Sequence, residues 1–357
     1  MTTNFKIVIV VITDIIRLVK KKQEYLLIDY CRKKYESRED KCGMKYWDEK
    51  PYYSLNYYLK QTFHEKVYRV ALDAGMTCPN RDGTIGTGGC IFCSAGGSGD
   101  FAGDRKESIT QQIEHGIQGL KKFHADGYIA YFQAYTNTYA PLSYLKQVYT
   151  EAIEHPQVKA ISIATRPDCL SDETIALLAT LNKKKPVWVE LGLQTIHEET
   201  AQYIRRGYLL ECFENAVARL RSKKIEVIVH TILGLPGESR EDILETIHYL
   251  NRMDIQGIKL QLLHVLEGTD LAKDYHLGNF QVLELEEYVD LVVDCIANLS
   301  ENIVIHRLTG DGPKDILIAP LWSTSKMQVL NRIHHRLKEL GIWQGKALDR
   351  RLCEEKV

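Results

Sequence analysis

The chain has 357 residues, 45% of them hydrophobic and 26% charged, with a formal net charge of −1. That composition is ordinary for a folded protein and excludes a disordered or fibrous chain. The near-zero charge excludes a protein that grips nucleic acid over its whole surface. Nine cysteines, an odd number, occur without a recognisable secretory cleavage site, which argues against a disulfide framework and for a reducing, cytoplasmic compartment.

Residues 5–19 are apolar but interrupted by Asp14 and Arg17, short of the ~20 apolar residues that a membrane span needs. Lys20, Lys21 and Lys22 follow this run, whereas a signal peptide carries its positive charge in front. No membrane association is expected. Residues 1–43 read as an N-terminal extension, or as translation assigned upstream of a start at Met44, and residues 44–66 as a lead-in segment.

From residue 67 onward, short β-branched runs alternate with amphipathic helical patterns, the signature of successive βα units and a parallel sheet. The expected strands are 68–72, 128–133, 159–164, 187–191, 226–232 and 257–262. Between them, Ser108 with Gln111 forms a capping-box pattern ahead of Ile109, Ile113, Ile117 and Leu120, and Ser171 and Ser239 open two further helices. Six parallel strands over 67–265 fit a partial or full barrel, and also an open sheet.

After residue 266 the rhythm changes to a helix over 283–299, an apolar run at 303–305, a loop at 310–314 and a basic amphipathic helix. Residues 266–357 therefore read as an appended, α-rich C-terminal region. Lys326, Arg332, Arg336, Lys338, Lys346, Arg350 and Arg351 stand against only Glu339 and Asp349 at its end. This is expected to be a solvated basic face, compatible with an RNA phosphate backbone.

The chemistry lies in the segment CPNRDGTIGTGGCIFC, which places Cys78, Cys90 and Cys93 in Cys-x11-Cys-x2-Cys spacing just after the first expected strand. Three thiolates in one glycine-rich loop can converge on one metal centre. A structural zinc site is normally closed by four ligands, and no fourth Cys or His lies in the loop. Zinc completed by a distant residue such as His64 or His115 is the alternative, and a thioredoxin-like Cys-x-x-Cys leaves Cys78 unexplained. Cys31, Cys42, Cys169, Cys212, Cys295 and Cys353 stand singly and read as inert thiols or core fillers.

This segment, with Phe92 directly before the last cysteine, resembles the cluster loop of the radical S-adenosylmethionine (SAM) superfamily. The wide spacing resembles the YhcC/YtqA-type family rather than the commoner Cys-x3-Cys-x2-Cys form. The resemblance continues through YFQAYTNTYAP, SIATRPD, ELGLQT, HTILGLPGE and RLTGDGPKDILIAPLW, and does not extend to residues 1–43. It implies a partial (β/α)6 TIM-like barrel with a C-terminal α-rich extension. It also implies a 4Fe–4S cluster held by Cys78, Cys90 and Cys93, with SAM on the open iron and cleaved to a 5′-deoxyadenosyl radical.

In a parallel barrel, ligands gather at the C-terminal ends of strands. Tyr135 to Asn137 follow the second strand and Thr165 to Asp168 the third, with Tyr135 and Thr165 expected in the SAM pocket, each with the alternative of a polar turn. By resemblance, Gln194 and Arg206 are SAM-pocket positions. Gly234 and Gly237 sit in a turn leading into a helix N-terminus, where backbone N–H groups can receive polar ligand atoms. His230 stands where relatives often carry an acid, with a core histidine as the other reading. Gly96, Gly97, Ser98 and Gly99 suggest backbone approach to the cluster or cofactor, or an ordinary loop.

The YtqA branch implies a 5-substituted wobble uridine of tRNA as substrate, and the GSGDFAG segment resembles that branch. A flavodoxin or ferredoxin is the implied electron donor. The alternatives are a small metabolite or peptide substrate, or a non-catalytic iron–sulfur or zinc scaffold.

Overall fold

The computed structural model describes residues 44–349 apart from Ser98 and Asp311. The expected extension at 1–43, with Cys31 and Cys42, lies outside the described residues, as do Arg350, Arg351 and Cys353. Ser54 caps a first helix, α1 (Leu55–Phe63), by accepting from Tyr57 N–H. There follow β1 (Val67–Leu72), α2 (Ile109–Leu120), β2 (Gly127–Phe132), α3 (Leu142–Glu154), β3 (Val158–Thr165), α4 (Asp172–Asn182) and β4 (Val187–Gln194). The chain continues through α5 (Glu198–Tyr203), α6 (Leu210–Ser222), β5 (Glu226–Leu233), α7 (Arg240–Leu250), β6 (Gly257–Leu262) and β7 (Val265–Leu266). It ends with α8 (Asp270–His276), α9 (Leu285–Asn298), β8 (Val304–Arg307), β9 (Leu317–Ala319) and α10 (Lys326–Glu339).

The six expected strands are present, and the sheet has a seventh. Its order is β1-β2-β3-β4-β5-β6-β8, every pair parallel, curled into a half-barrel. The apolar run at 303–305, read from the sequence as part of an appended region, supplies β8 and extends the sheet on β6. Helical starts follow the sequence signals: Ser108 with Gln111 and Ser239 with Asp242 form capping boxes, and Ser171 accepts from Thr174 N–H.

Alternation along the strands divides the sheet into two faces. The outer face carries Val70, Leu72, Ala130, Phe132, Ile161, Ile163, Val189, Leu191, Val227, Val229, Ile258 and Leu260, buried in one core with the helices. The inner face begins with an apolar layer, Val67, Ile129, Ala160, Trp188 and Ile228, onto which Leu55, Leu59 and Phe63 of α1 pack. The lead-in segment thus plugs the N-terminal end of the half-barrel and leaves the C-terminal end for chemistry.

The basic C-terminal helix faces an acidic partner. Arg332 makes a two-pronged bond to Glu286 at 2.7 and 2.8 Å, and Arg336 bonds Asp290 at 2.6 Å, all from α10 to α9. Two cations of the expected basic face, Arg332 and Arg336, are therefore charge-matched within the fold.

Gly116 lets α2 approach β1, because a Cβ there would lie 2.3 Å from Val70 Cγ1. Alanine would gain about 1 kcal/mol of helix propensity, but a stiff, buried β-branched neighbour makes overpacking, at about 1–3 kcal/mol, the larger effect. Gly116→Ala is expected to lower the urea midpoint; a raised midpoint would show that α2 is free to shift.

Candidate functional site

The loop between β1 and α2 is bent by its own polar groups. Cys78 C=O accepts from Arg81 N–H at 2.8 Å and Asp82 N–H at 3.2 Å, and Cys93 N–H donates to Cys90 C=O at 3.0 Å. The Arg81 guanidinium reaches across the loop to the carbonyls of Cys93 and Ser94 at 2.9 and 2.6 Å. Gly89 makes room for this clasp, since a Cβ there would lie 2.8 Å from Arg81 Nε. Asn80 donates to Arg205 C=O at 2.6 Å and to Cys90 Sγ at 3.6 Å. Ile91 N–H donates to Ile204 C=O at 3.2 Å, and Leu271 N–H to Ile91 C=O at 3.0 Å, which fastens the loop to α5 and α8.

The three thiols are electrostatic neighbours. Burial pushes the Cys90 thiol up to about 12, the charges of Cys93 and Cys78 add to the rise, and Arg166 opposes it. Such a thiol keeps its proton at neutral pH unless a metal draws it off. Among the described residues, His197, Asp242 and Glu245 form the set of three whose ligand atoms all lie within 4.8 Å of one another; the three thiols do not. The zinc-completing histidines stand elsewhere: His115 bonds Glu107 at 3.0 Å, and His64 caps α1 at the plugged end.

The other expected residues lie at strand ends, with distinct surroundings. Tyr135, at φ 58°, donates its hydroxyl to Ala95 C=O and its N–H to Gly97 C=O. A Cβ on Gly97 would meet its ring at 2.3 Å, so Tyr135 props the segment that follows Cys93. Thr165 is buried and shares a 2.6 Å bond with Thr138. Gln194, at φ 68°, has a buried Oε1 without a hydrogen-bond partner. That leaves an unused acceptor, costing about 1–3 kcal/mol.

Arg206 is 2% exposed. Its guanidinium is enclosed by Leu193 C=O, Thr195 C=O, Tyr208 C=O and Glu198, at 2.7 to 3.2 Å. Gly234 and Gly237, at φ 84° and 89°, form the turn from β5 to α7 in the left-handed region open to glycine. Gly96 and Gly99 belong to tight turns, whereas Ser98 lies outside the described residues.

The stretch from Thr165 to Asp168, expected at the end of the third strand, shapes the site further, whereas sequence reasoning passed over the roles of Asn80, Arg81 and Cys169. Arg166 bonds Asp168 at 2.9 and 2.7 Å and Arg206 C=O at 2.8 Å, and its cation lies 5.0 Å from the Tyr208 ring. Cys169, dismissed as a single thiol, lines a cleft of about 580 Å³ with Thr138, Asp168, Ser171 and Thr174. Asn80 and Arg81 were in plain view inside the cysteine loop.

Above the apolar plug, the inner face turns polar. Glu190 accepts from Ser162 and His230, each at 2.7 Å, forms a very short contact with Lys259, and lies 3.7 Å from Arg69. Lys259 also donates to Tyr131 at 3.0 Å, and Arg69 bonds His306 at 2.8 Å. Burial works against ionisation of Glu190, yet Lys259 and then Arg69 hold its carboxyl well below the usual range. Burial brings Lys259 down to about 7 against the pull of Glu190. His230 is thus a core histidine with a charged partner, the second of the two readings of that position.

Comparison with known proteins fixes the family. The model of the Radical SAM superfamily matches residues 81–250, and that of the Radical SAM C-terminal domain matches residues 255–339. Protein YtqA of Bacillus subtilis is 46% identical over 303 residues, 85% of this chain and 94% of YtqA. The chain belongs to the radical SAM superfamily. Protein YhcC of Escherichia coli is 35% identical over 82% of this chain and 94% of its own length. Among solved structures, the archaeal Methanocaldococcus infernus Elp3 with an N-terminal deletion superimposes with a TM-score of 0.60 at 18% identity, over 78% of this chain and 64% of that one. A tRNA uridine(34) acetyltransferase of Methanocaldococcus jannaschii is 26% identical over 179 residues, 48% of this chain and 32% of its own.

The cofactors of this radical SAM enzyme are a 4Fe–4S cluster and SAM. No helix among the described residues is long and apolar enough to cross a membrane.

The polar floor makes the stability of this radical SAM protein pH-dependent. Burial, with Lys259 nearby, lowers His230 to about 4, and burial with Arg69 lowers His306 well below its usual value. Both stay neutral in the fold and take protons on unfolding, so between pH 6.5 and 4 the unfolded chain binds more protons and stability falls as pH falls. For His230 alone the loss by pH 5 is about 2 kcal/mol. Urea unfolding between pH 7 and 5 is expected to show a fall shallower by that amount in His230→Asn; equal slopes would contradict the buried, neutral assignment.

Proposed function

We propose that Cys78, Cys90 and Cys93 hold the cluster, and that the chain uses reductive SAM cleavage to take a hydrogen atom from the side chain of a 5-substituted wobble uridine in tRNA. The observation that carries the first half is the single loop bringing three coupled thiols together at the open end of a parallel half-barrel. Three protein ligands leave one iron of a cubane open, and this is the position that SAM's amino and carboxylate groups need. When bound, the cluster supplies the electron that splits SAM into methionine and the hydrogen-abstracting radical.

The chain's own residues bind, orient and exclude water. Arg81 and Asn80 fix the loop so that the thiols keep their spacing. Gln194 offers its unused Oε1 to SAM, and the turn at Gly234 and Gly237 presents backbone donors to the adenine side of the pocket. Thr165, Tyr135 and Arg206 act as positioning residues, because their polar groups are already engaged by the protein. Arg206 locks the end of β4 from which Gln194 projects.

The tRNA half rests on family similarity. It is supported by partial matches to tRNA uridine(34) acetyltransferases. Electrons are expected from a flavodoxin or ferredoxin.

Anaerobically reconstituted protein with a low-potential reductant is expected to form 5′-deoxyadenosine from SAM, and Cys90→Ala to lose both cluster absorbance and product. Retention of both by Cys90→Ala would reject the ligand assignment. Incubation with tRNA followed by nucleoside mass spectrometry is expected to show a change confined to the wobble uridine. SAM cleavage with every nucleoside unaltered would direct the reading to a small metabolite or peptide.

A further inference from the structure

Resting on the tRNA reading, we propose that the cleft between the starts of α3 and α4 is a subsite for an unstacked RNA base, a neighbour of the nucleotide that reacts. The cleft has a volume of about 580 Å³, with Thr138, Tyr139 and Pro141 on one side and Asp168, Cys169 and Thr174 on the other. That volume lies in the range of small-ligand pockets. Both walls follow the C-terminal ends of strands, β2 and β3, where parallel barrels gather their ligands.

The cleft stands beside the cysteine loop. The Tyr139 hydroxyl shares a 2.9 Å bond with Thr84 Oγ1 of that loop. On the opposite wall, Arg166 grips Asp168 at 2.9 and 2.7 Å. Arg166 and Asn80 flank Gly207, 3.3 and 3.5 Å from where its Cβ would stand, and Asn80 donates to Cys90 Sγ at 3.6 Å. A ligand in the cleft therefore sits alongside the reacting centre, not over it. The walls are fixed before anything binds: Thr138 Oγ1 lies 2.6 Å from both Thr165 Oγ1 and Cys169 C=O, and Arg219 holds Leu170 C=O at 2.9 Å. A preformed cleft loses little entropy when it is filled.

The chemistry of the lining selects the ligand. Tyr139, Pro141 and Leu170 offer apolar surface, and Asp168, Ser171 and Thr174 offer acceptors and hydroxyls. This suits a flat molecule with apolar faces and a polar edge. The Asp168 oxygens each accept one bond from Arg166 and keep acceptor capacity for an amino or imino N–H. A phosphate is disfavoured, because the nearby guanidiniums are committed to Asp168 and Asp172, and the first turn of α4 is acidic. A bare ammonium ion is disfavoured by the Arg166 cation that already neutralises Asp168. Single-stranded RNA presents the matching group, since its splayed bases are read by aromatic walls and by hydrogen bonds to their edges.

The probe is a synthetic anticodon stem-loop, compared with stem-loops that lack the base on one or the other side of the wobble uridine but keep its sugar and phosphate. Equilibrium binding to the reconstituted full chain is measured at fixed ionic strength. Removal of one flanking base is expected to weaken binding about tenfold in wild-type protein, and at most about twofold in Cys169→Phe, whose ring occupies the cleft. The Cys169 thiol of the unaltered chain is a second reporter that needs no variant. Its alkylation, followed by peptide mass spectrometry, is expected to be slowed by the saturating intact stem-loop and not by the one lacking that base. Equal affinity for all the stem-loops, an undiminished cost in folded Cys169→Phe, or equal alkylation rates would each overturn the base subsite while leaving the tRNA reading in place. Wild-type protein that cleaves SAM but neither binds nor alters the intact stem-loop would overturn the tRNA reading, and the subsite with it.

Discussion

Three thiols must be brought together, and kept apart by the width of a cluster, in a loop that has no regular structure to hold it. Hydrogen bonds to backbone carbonyls provide the hold: Arg81 across Cys93 and Ser94, Asn80 across to Arg205, and the backbone bonds of Ile91 with Ile204 and Leu271. Each uses a donor that would otherwise be solvated to fix an acceptor on a distant part of the chain. Without them the conformational entropy of a loop rich in glycine would scatter the sulfurs. The half-barrel gives this loop a rim to stand on, and the rim exists because α1 and Trp188 close the opposite end.

The inner face is layered, and the layering links fold to function. The apolar layer makes the barrel a closed vessel rather than a pore. The polar layer above it is expensive to bury, and it persists because each charge has a partner of opposite sign or a hydrogen bond. Positive φ angles at Tyr135, Gln194 and Arg205 mark the same rim. Non-glycine residues in that region carry strain, and strain gathers at functional sites.

Much of this was legible in the sequence, for physical reasons that can be named. The strands β1 to β6 and the capping boxes at Ser108 and Ser239 are local signals, carried by residues a few positions apart. The cysteine spacing is likewise local. Other features depend on partners that only folding brings together: Lys259 is 69 residues from Glu190 and 128 from Tyr131, and Arg69 is 237 from His306. The same distance effect hid the pairing of Arg332 and Arg336 with α9, 46 positions away. β8 escaped because four residues are too few for a period to show.

The central claim is that three cysteines leave one iron open for SAM. Low-temperature electron paramagnetic resonance of the reduced, reconstituted chain tests it most directly, because the signal responds to what binds the cluster. The account predicts that adding SAM replaces the cluster signal with a new one, and that no such change follows in Cys78→Ala, Cys90→Ala or Cys93→Ala. A reduced cluster whose spectrum is the same with and without SAM would contradict it.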